Sequence, residues 1–191
     1  MAGKQAKTLS NENVHDLLVY ASCTRQPIRN RVVVLLSVKA GLRAGEIAKL
    51  TWQMLLDAGG DVGAALELRD AIVKYGNGRL IPIHADLRHA FLELRQHSDG
   101  VGPVIRSERG GAMCPVSIVR WFAIAYKAVG LDGCSSHSGR RTFVTRAARL
   151  VHRAGGSLRD VQLLAGHRSI QTTQRYIDGD SDAQRKLVAL I

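Results

Sequence analysis

The chain has 191 residues, enough for one domain with a proper core, and carries 27 Lys and Arg against 16 Asp and Glu, a formal charge of +11. A globular chain this basic is expected to meet a polyanion, either nucleic acid or an anionic membrane surface. The longest apolar run, residues 32–36, is too short to cross a bilayer, no signal peptide opens the chain, and Cys23, Cys114 and Cys134 form no disulfide framework, so nucleic acid in a reducing cytoplasm is the expected setting, with no membrane partner.

Residues 1–9 read as a flexible basic segment and residues 10–191 as a single domain. Ser10 is placed to cap a first amphipathic helix with Val14, Leu17 and Leu18 as its apolar stripe. Residues 29–40 are ambiguous, because the β-branched run Val32-Val33-Val34 also suits a buried strand. Gly41 as a helix stop favours a core helix. A short helix over residues 42–50 should turn Leu42, Ile47 and Leu50 inward. Residues 57–63, DAGGDVG, are turn-like and close the helical opening.

Three short apolar runs follow, ALELRD, AIVKY and RLIPI, the last two separated by Gly76-Asn77-Gly78, which predicts a hairpin. Residues 86–96 return to helical period through Leu87, Ala90, Phe91 and Leu94. Residues 98–115 are Gly- and Pro-punctuated loop, and residues 116–129 are a further amphipathic helix with Ile118, Phe122, Ala125 and Val129 inward. The last third reads as helical. One helix spans residues 138–153 and stops at Gly155-Gly156. Ser157 caps the next with Asp160 in the capping-box position, and Gly166 ends it. A third starts at Ser169 and carries Tyr176. Residues 181–191 form a tail helix with Ala183, Leu187, Leu190 and Ile191 as one apolar stripe. The fold class is mainly α with a small three-stranded antiparallel sheet.

Within the last third, His137 and Arg140 stand three apart, on one face of a helix's first turn. His167 follows just past a glycine stop, and Tyr176 lies nine residues later. Cations, hydrogen-bond donors and a phenolic nucleophile suit chemistry on a phosphate. Each residue taken singly has a plainer reading. Arg43 can pair Glu46 at i,i+3 on a solvated face, and Lys74 can be a solvated strand-end lysine. His167 can cap carbonyls, and Tyr176 can be a half-buried core residue. Cys134 and His137 make a Cys-x-x-His pair without a second ligand pair, so no metal site is expected.

GLRAGEI (41–47), HSGRRTF (137–143), LLAGHRSIQTTQRY (163–176) and the hairpin lysine occur in one order and spacing that resembles the catalytic domain of the tyrosine recombinase, or phage integrase, family over residues 8–191. The resemblance implies catalytic roles for Arg43, Lys74, His137, Arg140 and His167, with Tyr176 as nucleophile and Glu46 in an acidic supporting position. It implies single-strand cleavage of double-stranded DNA through a covalent 3′-phosphotyrosine, then attack by a 5′-hydroxyl from another duplex, with no metal or nucleotide cofactor. It further implies a monomer in solution and a homotetramer on DNA, linked by the tail in trans.

The chemistry of the residues agrees with these roles. Two guanidinium forks can hold the charged oxygens of a phosphodiester, a histidine can take the phenolic proton, and a hairpin lysine can protonate the leaving oxygen. Arg141, Arg146 and Arg149 are candidate contacts to DNA phosphates; Arg146, Arg149 and Arg153 share a face, and a plain solvated face is an equal reading. Many family members have Leu and His where this chain has Gly139 and Arg141. They also carry a separate DNA-clasping domain, so the chain is expected to be an excised catalytic domain or a short member lacking it. A type IB topoisomerase-like nicking enzyme and a DNA-binding regulator on the same fold are the alternatives.

Overall fold

Ser10 begins helix α1 (Asn11–Ser22) by accepting the Asn13 amide on its hydroxyl, while the Asn13 side chain returns the bond to the Ser10 backbone. The computed structural model describes residues 6–70, 78–176 and 188–189. Helix α2 (Pro27–Lys39) follows, with Pro27 in its first turn and residues 32–38 all buried. A helix apolar all round must be enclosed by its neighbours, and α2 packs against α1, α3 (Ala44–Lys49), α4 (Ala85–Gln96) and α6 (Ser138–Leu150). The β-branched run is therefore a central core helix. Leu42, Ile47 and Leu50 are fully buried, as their spacing requires.

Helix α5 (Pro115–Ala128) closes the main core with Ile118, Phe122, Ala125 and Tyr126. A second, smaller core lies beyond it. Val144, Ala148 and Val151 pack there with Val161 and Ala165 of α7 (Leu158–Ala165), and the partly buried Tyr176 leans on the same cluster. The Ser157–Asp160 capping box starts α7 where the sequence places it. No described helix is long and apolar enough to cross a membrane.

Two sequence expectations change, and a third falls partly outside the described residues. The described sheet is two-stranded: β1 (Ala65–Leu68) pairs antiparallel with β2 (Arg79–Pro82), in the register Ala65↔Pro82 to Leu68↔Arg79. The first and third predicted runs thus meet directly. The middle run, with Lys74, lies outside the described residues, as does most of the predicted tail helix. The helix predicted over residues 138–153 ends as α-helix at Leu150 and tightens into a 3-10 turn, Val151–Ala154. Tyr176 is not helical. Helix α8 is only Ile170–Gln174, and the Tyr176 amide bonds to the Thr173 carbonyl three residues back, at 3.0 Å. Two adjacent threonines are poor helix formers, and such an i→i−3 bond closes a last turn tightly.

Gly139 sets how closely α6 approaches α2. A Cβ there would overlap the Ser37 hydroxyl and lie 2.9 Å from the Ser37 Cβ. Overpacking of this kind costs about 1–3 kcal/mol. We therefore expect Gly139→Ala to lower the unfolding free energy by that amount in urea titrations, and by clearly less in a Ser37→Gly background. An equal loss in both backgrounds would show that the α2–α6 contact is not the cause.

Candidate active site

The carbonyl end of α7 organises the site. The last four carbonyls of a helix have no partner inside it, and those of α7 belong to Gln162, Leu163, Leu164 and Ala165. The backbone satisfies two: His167 N–H donates to Gln162 at 3.1 Å, and Gly166 N–H to Leu163 at 3.0 Å. Two arginines satisfy the others. Arg79 Nε donates to the Leu164 carbonyl at 2.9 Å, and Arg140 Nη2 to that of Ala165 at 2.6 Å. Gly166 is left-handed, with φ 63°, and an added Cβ would stand 2.8 Å from Arg79 Nη1. Only glycine suits both the conformation and the approach.

Arg140 is 4 % exposed, and its Nη1 donates to the Gly41 carbonyl at 2.6 Å. One guanidinium therefore ties the segment before α3 to the end of α7, across the two cores. Each Nη keeps a second N–H, and Nε–H is also available. Burial, then the nearby charge of Arg43, pushes the Arg140 pKa down to about 9, which still leaves a cation at neutral pH.

Glu46, 2 % exposed, is the counter-charge below the cleft. Arg79 grips it with both Nη atoms, at 3.0 and 3.1 Å. Arg43 reaches it through Nη1 at 3.0 Å and through its own backbone N–H at 2.9 Å. Burial works against the Glu46 carboxylate, but the Arg79 bonds and charge, helped by Arg43, outweigh it and hold its pKa below the ordinary value. One carboxylate faces Arg43, Arg79 and Arg140, so the site keeps an excess of fixed positive charge.

A cleft of about 350 Å³ opens above this cluster, lined by Arg43, His137, Arg140, Arg141, His167 and Tyr176 together with Ala6, Thr172 and Arg175. Five of the six residues expected to share one site meet there; Lys74 lies outside the described residues. His137, at the start of α6, is the exposed member, and its pKa is lowered by burial and then by Arg140 and Arg43. His167 is 8 % exposed and is bonded through Nδ1 to Thr173 Oγ1 at 2.9 Å. Burial first, then Arg140, Arg43 and Arg79, bring its pKa to about 4, so it is neutral at physiological pH. The Tyr176 ring stacks on His167, with centroids 5.6 Å apart.

Of the predicted phosphate contacts, Arg141 lines the cleft. Arg146 is half-buried and donates to the Leu9 carbonyl at 3.0 Å, and Arg149 is exposed on α6. Arg79 and Thr173 escaped the sequence reading. A buried Glu46 needing more than one cation was the only available hint of Arg79, and nothing in the spacing marks Thr173. Among the described residues no His, Cys, Asp or Glu side chains cluster as metal ligands would.

Matched over residues 7–182, the chain belongs to the phage integrase family. Among its relatives is the tyrosine recombinase XerC of Mesorhizobium japonicum, 34 % identical over 159 residues, an alignment covering 80 % of this chain and 47 % of the relative. The chain spans about half the length of the named relatives it matches. The fold is similar to that of the XerH site-specific recombinase bound to palindromic difH substrate, with TM-score 0.76 and 18 % identity over 99 % of this chain and 54 % of that one. It is also similar to the Tn1549 transposon integrase in complex with a circular intermediate DNA, with TM-score 0.75 and 19 % identity over 100 % and 67 % of the two chains.

Removing one partner of a buried charge cluster costs about 3–5 kcal/mol, because the remaining charges stay desolvated. Glu46→Gln should lose stability of that order at neutral pH. With a folded pKa below the unfolded one, the carboxylate's contribution is fully present above its ordinary value of 4.5 and is lost as pH falls through the folded value. The gap between wild type and Glu46→Gln in denaturant titrations should therefore narrow below about pH 4. A gap that widens on acidification would reverse the assigned sign.

Proposed function

We propose that the chain is the catalytic portion of a site-specific DNA recombinase that cuts and rejoins strands through a covalent 3′-phosphotyrosine, with no metal or nucleotide cofactor. The observation that carries this reading is the convergence of Arg43, His137, Arg140, His167 and Tyr176 on one electropositive cleft. The family and the recombinase names of its relatives support it.

Tyr176 Oη attacks the scissile phosphorus while the bond to the 5′-oxygen breaks. His137 takes the phenolic proton; a lowered pKa keeps its ring free to accept one at neutral pH. Arg43 and Arg140 hold the non-bridging oxygens, where charge grows in the transition state. His167 serves as a neutral donor. In the tautomer whose Nδ1 accepts the Thr173 hydroxyl, the ring proton sits on Nε2 and can point at an oxygen of the phosphate. Lys74 supplies the proton to the leaving 5′-oxygen. In the second half, a 5′-hydroxyl attacks the phosphotyrosine, the phenolate leaves, and the same groups run in reverse.

Double-stranded DNA is the proposed partner. Exchange between two sites calls for four copies assembled on DNA from monomers, with residues 181–191 docking in trans. A contact of that head-to-tail kind closes into a ring when every site is filled.

Two substrates separate these roles. On a nicked duplex the wild type should accumulate a denaturant-stable protein–DNA adduct that Tyr176→Phe does not form. Lys74→Ala should fail on an ordinary phosphate and recover on a 5′-phosphorothiolate, whose sulfur leaves without a proton; Arg140→Ala should not recover. Persistence of the adduct in Tyr176→Phe would sink the nucleophile assignment, and equal rescue of both variants would sink the division between acid and clamp.

A further inference from the structure

Arg141 stands one turn beyond His137 on α6, so the two side chains share a face and line the same cleft. Its immediate neighbour Arg140 also reaches the cleft but is nearly fully buried and held by the carbonyls of Gly41 and Ala165. The Arg141 Cζ lies 5.7 Å from the centroid of the Tyr176 ring. Among the described residues this ring is the partner of its guanidinium; no carboxylate or carbonyl engages it. The same ring stacks on His167, so the imidazole and the guanidinium together fix its plane.

We propose that Arg141 is a positioning residue for the nucleophile: its guanidinium acts through the face of the Tyr176 ring and not through a DNA phosphate. The inference rests on the recombinase reading given above. A cation is held by the electron-rich face of an aromatic ring, and the hold strengthens as the ring gains negative charge. The Tyr176 ring is most electron-rich when its hydroxyl has given up its proton and the bond to phosphorus is not yet complete. It regains that charge when the phenolate leaves in the resealing step. Both directions pass through one transition state, so Arg141 should favour cleavage and religation alike. A phosphate contact would strengthen DNA binding instead, without regard to the chemical step.

Three variants divide the possibilities. Arg141→Gln removes the charge, Arg141→Met keeps an apolar stem over the ring, and Arg141→Lys keeps a cation. Single-turnover cleavage should be measured at saturating nicked duplex, with religation from the trapped adduct, thermal unfolding, and the salt dependence of DNA affinity. We expect Gln and Met each to slow cleavage and religation by about five- to tenfold, the scale of one cation–ring contact. Lys should restore most of the rate, and the log–log salt slope should stay at the wild-type value in all three.

Loss of about 0.9 from that slope with an unchanged saturating rate would make Arg141 a phosphate contact and overturn the proposal. Restoration by Met would reduce the role to packing, and equal slowing in Lys and Gln would remove the cation from it; either result overturns the proposal too. If the wild type itself forms no adduct, the recombinase reading falls and takes this inference with it. A wild-type adduct formed equally fast by Arg141→Gln removes this inference alone.

Discussion

A helix that ends inside a protein must find partners for its last carbonyls, and in this chain α7 finds two of them in arginines. Arg79 takes the Leu164 carbonyl and Arg140 that of Ala165. Neither guanidinium can be buried there without an anion close by, and Glu46 supplies one carboxylate, gripped by Arg79 and by Arg43. That single negative charge leaves the cluster cationic in sum. The capping requirement of one helix thus produces a rigid, desolvated, positive floor, and His167 emerges from the same turn directly onto it. Structure and chemistry share these atoms.

The two cores explain why the site can be assembled at all. Arg43 and Glu46 belong to the helices around α2, whereas Tyr176 leans on the smaller cluster of α6 and α7. Arg140 reaches both, through the carbonyls of Gly41 and Ala165. Close packing of α6 on α2 at Gly139 brings its first turn within range. In many family members the positions flanking this arginine are Leu and His; here a glycine meets Ser37 on one side of Arg140, and Arg141 covers the Tyr176 ring on the other.

Much of this was legible in the sequence because helices announce themselves by period and punctuation. The Ser10 and Ser157 caps, the Gly166 stop and the inward faces of α4 and α5 follow from spacing alone. The motif residues were legible too, and five of them line one cleft. What escaped depends on tertiary partners. Arg79 looks like any residue beside a turn until Glu46 is known to be buried, and Thr173 gains meaning only when α8 folds back on His167. The non-helical Tyr176 escaped because a five-residue helix closing in an i→i−3 turn leaves no period to read. The strand expected over AIVKY, with Lys74, falls among residues 71–77, outside the described residues.

Under the proposed function, fixed guanidinium charge in this cleft acts on the non-bridging oxygens of a phosphodiester. The most direct measurement compares cleavage of an ordinary scissile phosphate with that of an uncharged methylphosphonate, in wild type and in Arg43→Ala shown to be folded. On the phosphate the variant should be slower by about 100- to 1,000-fold, the scale of one lost donor to a developing oxyanion. On the methylphosphonate, where the negative charge is absent, most of that difference should disappear. A penalty of the same size on both substrates would contradict the claim, and Arg43 would then serve only to hold Glu46 and the start of α3.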